Sequence, residues 1–131
     1  MIRRGILVVL VIVAAAAAVQ AQRGRWERLG ERVVTDKADH DTIGVTASRG
    51  TFTAVRFDVA GHAVDFHRVV IHFANGGDQR IEFKHTIPAG GSSRVVDIDG
   101  KDRAIKSIDF WYEAKSMNRG AKATVTAMGR N

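Results

Sequence analysis

The sequence predicts an all-β fold, an antiparallel β-sandwich of about eight short strands. Three observations predict it. Apolar and polar residues alternate along most of the chain, which is the period of a half-buried strand. The alternating segments are short and are separated by turns that contain glycine. No segment after residue 21 carries the apolar stripe of an amphipathic helix.

The first 21 residues differ from the rest of the chain. Arg3 and Arg4 precede an apolar run over residues 6–19, and small residues then lead to Ala21. A basic start, a short apolar helix and a small-residue cleavage site are typical of a secretory signal peptide. The run of 14 residues is shorter than the roughly 20 needed to span a bilayer. An uncleaved membrane anchor is the alternative.

We therefore expect a signal peptide over residues 1–21 and a single β-sandwich domain over residues 22–131. Such a length is usual for one domain and can bury a core without staples. The protein is then exported to the periplasm or the outside of a bacterium, with no stable membrane insertion after cleavage. Removing the signal also removes two arginines, which lowers the formal charge from +6 to +4.

The first strands of the domain are expected at residues 26–34 and 42–46. A third follows at residues 55–59, where Val55, Phe57 and Val59 alternate with charged residues. Glycine-containing turns separate these segments, as the connections of a sandwich require.

The next segment, residues 64–73, changes phase within its length. Val64 and Phe66 share one parity, whereas Val69 and Ile71 share the other. One extra residue moves every later side chain to the opposite face of a strand. We therefore expect a β-bulge near His67.

The remaining strands are expected at residues 79–87, 94–98, 107–113 and 121–128. In the first of these Ile81, Phe83, His85 and Ile87 share one parity, so His85 is expected at the margin of the core. The same expectation is weaker for His67, which lies at the change of phase.

The composition excludes several classes of function. The chain has no cysteine, which removes disulfides, thiol nucleophiles and cysteine-based zinc sites. Nucleic-acid binding is disfavoured by the export signal and by the scarcity of aromatic residues for base stacking. No cofactor is expected, because no phosphate-binding loop occurs.

The five histidines lack the close spacing of metal ligands, so no metal site is expected. One acidic loop is the exception worth following. Asp36, Asp39 and Asp41 surround His40, which leaves a calcium site or a metal-dependent hydrolase as an outside alternative. No other pattern indicates catalysis, and we expect a protein that is not an enzyme.

The basic excess and one tryptophan are the remaining indications of a ligand. Trp111 lies on the polar parity of its strand, between Phe110 and Tyr112. An exposed indole can stack on a sugar, although large aromatic side chains are more often covered. Lys101 and Arg103 precede the same strand, and their charge favours an anionic ligand.

The frame of turn glycines and core residues resembles a group of small exported bacterial β-sandwich proteins known only as a domain of unknown function. The resemblance rests on Trp26 to Gly30, the Asn75-Gly76 turn, Ile87 to Gly90, Gly100 to Tyr112 and a closing Ala123 to Gly129. It implies the fold and no activity. Within the frame, Arg103 has a place that suggests either a buried ion pair or ligand binding.

Together these observations predict an exported, non-catalytic binding or structural module of the cell envelope. The candidate ligand is an anionic envelope glycan, with Trp111, Arg103 and Lys101 as candidate ligand-binding residues. The alternative partner is another envelope protein, bound by strand addition at an open sheet edge. The oligomeric state is not predicted.

Overall fold

The computed structural model describes residues 24–46 and 49–131. The predicted signal peptide and its cleavage site lie outside the described residues. Eight strands run in chain order: β1 Trp26–Thr35, β2 His40–Gly44, β3 Ala54–Ala60, β4 Val64–Phe73, β5 Asp78–Ile87, β6 Val96–Asp97, β7 Ile105–Tyr112 and β8 Lys122–Arg130. A short 3₁₀-helix at Ala114–Ser116 follows β7. Within the described residues, no helix has the length and apolar character needed to cross a membrane.

The strands form two four-stranded antiparallel sheets. Sheet I has the order β1-β8-β3-β6, and sheet II has the order β2-β7-β4-β5. The sheets pack face to face, so that one face of each is buried and the other is solvated. The predicted antiparallel sandwich is therefore confirmed.

An aromatic cluster joins the two sheets at the centre of the core. Phe57 of sheet I packs edge-on against Phe83 of sheet II, with ring centroids 5.6 Å apart. Phe66 lies 6.3 Å from Phe57 and 5.9 Å from Phe110 by the same measure. All four rings are buried. Burial of these rings and of the alternating valines and isoleucines is the main stabilising contribution to the fold.

The bulge expected in β4 is confirmed. The register of β4 shifts between Phe66 and Arg68 against both of its neighbours, β5 and β7. Phe66 and Val69 are both buried, although they lie three positions apart and would face opposite sides of a regular strand. The extra residue, His67, is exposed.

The prediction that His85 and His67 lie at the margin of the core is wrong. His85 and His67 are both exposed. In β5 the backbone of Lys84 adopts a left-handed conformation with φ of 42°. The pairing with β4 skips Phe83 and Lys84, so the alternation of β5 breaks immediately before His85. Phe83 and Ile87, on either side of this break, still share one parity. The alternation of apolar residues in the sequence therefore gives no sign of the break.

Several strands, β2 and β6 among them, differ in extent from the prediction. β2 begins at His40 and ends at Gly44, two residues earlier than expected at each end. β6 is reduced to Val96–Asp97, which pairs only with Ala54 and Val55. The buried amide of Gln79 in β5 holds the chain beyond β6: its Nε2 donates to the Asp97 carbonyl at 2.9 Å, and its Oε1 accepts from the Asp99 amide at 2.8 Å.

Candidate functional site

One row of side chains crosses the outer face of sheet II from edge to edge. The register pairs His40 of β2 with Trp111 of β7, Trp111 with Arg68 of β4, and Arg68 with Glu82 of β5. Cross-strand neighbours on one face of a sheet lie about 5 Å apart, so these four side chains form a continuous row. Each of the four strands contributes one residue to this row.

Trp111 is the centre of the row. The His40 ring stacks on its indole, with centroids 4.5 Å apart and planes inclined by 26°. The guanidinium carbon of Arg68 lies 4.0 Å from the indole centroid. Because β2 and β4 flank β7, the two groups approach the indole from opposite sides. The side chain of Trp111 is half-buried, so the part of the indole that remains accessible is held in a fixed orientation.

Arg68 has an unusual environment for an arginine. In the described part of the chain its guanidinium makes the indole contact but no hydrogen bond or ion pair, and its Nε is a buried donor without an acceptor. Arg80, on the neighbouring strand, instead donates from Nε to Glu82 at 2.8 Å. A shallow depression of about 260 Å³ lies beside Arg68 and is lined by His67, Arg68, Glu82 and Trp111.

A second group of polar side chains adjoins the row and centres on Asp109. Its Oδ2 lies 2.7 Å from Nε2 of His72, its Oδ1 accepts a hydrogen bond from the Thr42 hydroxyl, and His40 Nε2 lies 3.6 Å from Oδ1. His72 also contacts Asp78, with 2.7 Å between Nδ1 and Oδ1. This network ties all four strands of sheet II together on the outer face.

The hydrogen bonds of this network shift the acidities of its members. Those to Asp109 and Asp78 raise the pKa of His72 above its ordinary value, against the opposing effect of burial. Burial acts to raise the pKa of Asp109, but the hydrogen bonds from Thr42 and His72 outweigh it, so the pKa of that carboxyl is lowered. Both shifts favour the pair in which His72 is an imidazolium and Asp109 a carboxylate.

The structure does not bring the three predicted ligand-binding residues together. Lys101 and Arg103 precede β7, whereas Trp111 lies near its far end. The eight residues of β7 span roughly 26 Å at the usual rise of a strand. Lys101 is exposed, in a tight turn where its φ is 67°.

Arg103 fastens a neighbouring turn. Its Nη2 donates to Asn75 Oδ1 at 2.9 Å and to the Gly76 carbonyl at 2.8 Å, and its guanidinium carbon lies 3.6 Å from the centroid of the Phe73 ring. The partners of Arg103 are thus an amide and a carbonyl of the Asn75-Gly76 turn. Its position in the frame is explained by this contact.

The acidic loop before β2 does not converge on one point. Asp36 accepts a hydrogen bond from the Gly120 amide and Asp39 from the Ala114 amide, each at 3.1 Å. Asp41 accepts one from Nε of Arg32 at 2.9 Å. Across residues 24–46 and 49–131, no group of three or more acidic, histidine or cysteine side chains is arranged to hold a metal ion. The three carboxylates instead fasten the loop to separate parts of the fold.

Trp26 is a residue that sequence reasoning missed. It lies at the start of β1 on the outer face of sheet I, with the guanidinium carbons of Arg56 and Arg130 at 4.5 Å and 5.4 Å from its ring centroid. The residues next to Trp26 in the sequence do not indicate these contacts, because Arg56 lies on β3 and Arg130 on β8. The partners of Trp111 were missed for the same reason.

One edge of sheet II is β5, which pairs only with β4. Charged side chains alternate along it, and the left-handed conformation of Lys84 interrupts its regular backbone. Both features are typical of edges protected against pairing with another chain. Strand addition to another envelope protein stays an untested prediction.

Comparison with known proteins gives distant structural likenesses. AlgX of Pseudomonas aeruginosa is 16% identical, with 80% of this chain and 27% of AlgX covered and a TM-score of 0.47. This chain therefore spans about a quarter of the length of AlgX. A family 29 carbohydrate binding module is 16% identical, with 79% and 77% covered and a TM-score of 0.40. The SPBc2 prophage-derived protein YomS is 11% identical, with 82% and 92% covered and a TM-score of 0.40. Likenesses this distant carry no argument about function.

No curated protein matches the chain. One family does, and its description is a domain of unknown function, DUF2541. The match covers residues 5–129, which is nearly the whole chain. This extent agrees with the resemblance found in the turn and core residues, and the chain belongs to the DUF2541 family.

Proposed function

We propose that this chain is an exported, non-catalytic binding module of the bacterial envelope, and that it binds an anionic envelope glycan on the outer face of sheet II. The observation that carries the proposal is the position of Trp111. It lies on a solvated sheet face, half-buried, between His40 and Arg68. The signal peptide predicted at residues 1–21 supports this proposed location.

The surroundings of Trp111 suit a sugar polymer better than a compact small molecule. Small-molecule sites are usually clefts that enclose most of the ligand. The depression beside Trp111 is shallow, at about 260 Å³, and polar groups from His67, Arg68 and Glu82 line it. An indole flanked by hydrogen-bonding groups offers both an apolar surface for a sugar ring and partners for its hydroxyls. A polymer lying across the face can use both.

The Asp109 network supports binding rather than catalysis. A general acid or base must exchange a proton with its substrate. Both nitrogens of His72 are instead held at 2.7 Å by Asp109 and Asp78. In this arrangement the His72 ring serves to keep the strands of the binding face in place.

Retention on a column of immobilised polygalacturonate tests the proposal. We expect the purified protein to be retained at low salt and released as salt rises, because salt screens exposed charges. Trp111→Ala is expected to reduce retention severely. Trp26→Ala is the matched control, because it removes an arginine-contacted indole from the outer face of sheet I. Failure of the wild type to bind, or equal retention of Trp111→Ala and the wild type, would overturn the proposal.

A further inference from the structure

We infer that Arg68 binds the acidic group of the glycan, and that this group is a carboxylate, so that the ligand class is a hexuronate-containing polymer. The inference rests on the proposed function and deepens it. It starts from the surroundings of the Arg68 guanidinium in the described chain.

Three other arginines of the described chain already have carboxylate partners. Arg80 donates to Glu82 at 2.8 Å, Arg32 to Asp41 at 2.9 Å and Arg56 to Asp58 at 3.1 Å. Glu82, which the register places opposite Arg68, is thus engaged by Arg80 on its own strand. Within the described residues, the guanidinium of Arg68 has no carboxylate partner. Its charge is left for a ligand.

The buried Nε of Arg68 also requires a reason. Buried donors in native proteins almost always find an acceptor, and leaving one unpaired costs free energy. The indole of Trp111, 4.0 Å away, stabilises the cation but accepts no conventional hydrogen bond from Nε. The guanidinium of Arg68 is therefore held in place by Trp111, but its hydrogen-bonding capacity is not satisfied within the described residues. A buried donor left unpaired calls for an explanation, and we assign it to a functional role of the Arg68 guanidinium.

The geometry of the group favours a carboxylate. A guanidinium presents a planar fork of donors that matches the two oxygens of a carboxylate. Glu82 lines the same depression, and Glu113 lies next to it, 3.6 Å from His67. These carboxylates repel an anion, and they repel a doubly charged phosphate more than a singly charged, planar carboxylate. A uronate also places its carboxylate on the sugar ring itself, so the ring can contact Trp111 while the carboxylate reaches Arg68.

The experiment compares polygalacturonate with its fully methyl-esterified form, which has the same backbone without the charge. Binding of each polymer is measured for the wild type, Arg68→Gln, Arg68→Lys and Arg80→Gln. We expect the wild type to bind the charged polymer at least roughly tenfold more tightly, in line with the strength of hydrogen bonds to charged groups. Arg68→Gln is expected to bind both polymers equally weakly, and Arg68→Lys to recover only part of the preference.

Arg80→Gln is the matched control, because it removes the same charge from the same face at a residue that already has a partner. It is expected to retain most of the preference for the charged polymer. Unchanged binding of the ester by Arg68→Gln shows in addition that the variant is folded. If Arg68→Gln keeps the wild-type preference, or if Arg80→Gln loses as much, the inference about Arg68 is wrong and the proposed function stands. If the wild type binds neither polymer, the proposed function fails with it.

Discussion

On the outer face of sheet II, Nε2 of His72 lies 2.7 Å from Oδ2 of Asp109. The other ring nitrogen, Nδ1, lies equally close to Asp78. An imidazole can donate from both nitrogens only when it is protonated. The hydrogen bond to Asp109, followed by that to Asp78, accordingly raises the pKa of His72.

The raised pKa of His72 predicts a stability that depends on pH. A group that holds its proton more tightly in the folded chain contributes most below its unfolded pKa, near 6.5, and this contribution is lost as the pH rises through the folded value. Urea unfolding over a pH series should show this loss in the wild type. His72→Gln should flatten the dependence and lower the free energy of unfolding near pH 6 by about 1 kcal/mol.

His85→Gln provides the comparison for this experiment, because His85 is exposed and lies outside the Asp109 network. It should preserve the wild-type dependence on pH. Parallel curves for the wild type and His72→Gln would show that the imidazolium does not contribute to stability.

The contact between Arg68 and Trp111 should be measurable as a coupling free energy. A cation held over an indole contributes about 0.5–1 kcal/mol at a partly exposed site. A double-mutant cycle with Arg68→Gln and Trp111→Leu, followed by urea unfolding, isolates this interaction. Arg80→Gln with Trp111→Leu should be additive, since Arg80 pairs with Glu82. Additive effects in the Arg68 cycle as well would contradict the stacking arrangement.

Gly129 is expected to tolerate no side chain. A Cβ there would lie 2.6 Å from Cδ1 of Phe52, which is fully buried. Gly129→Ala should therefore lower the free energy of unfolding by roughly 1–3 kcal/mol through overpacking. Gly44→Ala is the control, because a Cβ at that strand position meets no atom within 4 Å. Thermal unfolding compares the two, and equal melting temperatures would argue against the close packing of β8 on Phe52.

Tyr112 can be titrated without interference, because it is the single tyrosine of the chain. Burial first, and then the charges of Asp41 and Asp39, raise the pKa of its phenol. Tyrosinate absorbance should show a midpoint above about 10 in the folded protein and near 10 in urea. Asp41→Asn should lower the folded midpoint, since it removes one of the repelling charges. A folded midpoint at or below the value in urea would contradict the burial of this side chain.

Strand periodicity predicted the sandwich because alternation is a local property. Val55, Phe57 and Val59 report the buried face of β3 by themselves, and the change of phase between Phe66 and Val69 located the bulge. His85 was misplaced because the local backbone at Lys84 departs from the strand without changing the apolar pattern.

The candidate site could be predicted only in part, for a different reason. Trp111 stood out because it occupies a polar position between two core aromatic residues. Its partners, His40 and Arg68, lie on other strands, and alternation contains no information about which strands are neighbours. The charge of Arg103 suggested a ligand, whereas the structure assigns its donors to the Asn75-Gly76 turn. Only the order of the strands shows that Arg103 is engaged by a turn, whereas Arg68 has no carboxylate partner in the described residues.

The row from His40 to Glu82 can form only in the folded domain. Its members come from β2, β4, β5 and β7, so no short peptide excised from the chain could bind as the whole domain does. A ligand that contacts all four side chains of the row would bind only the assembled sheet. Its binding would therefore stabilise the whole domain by mass action. A rise in melting temperature could therefore be used to screen for that ligand before its identity is known.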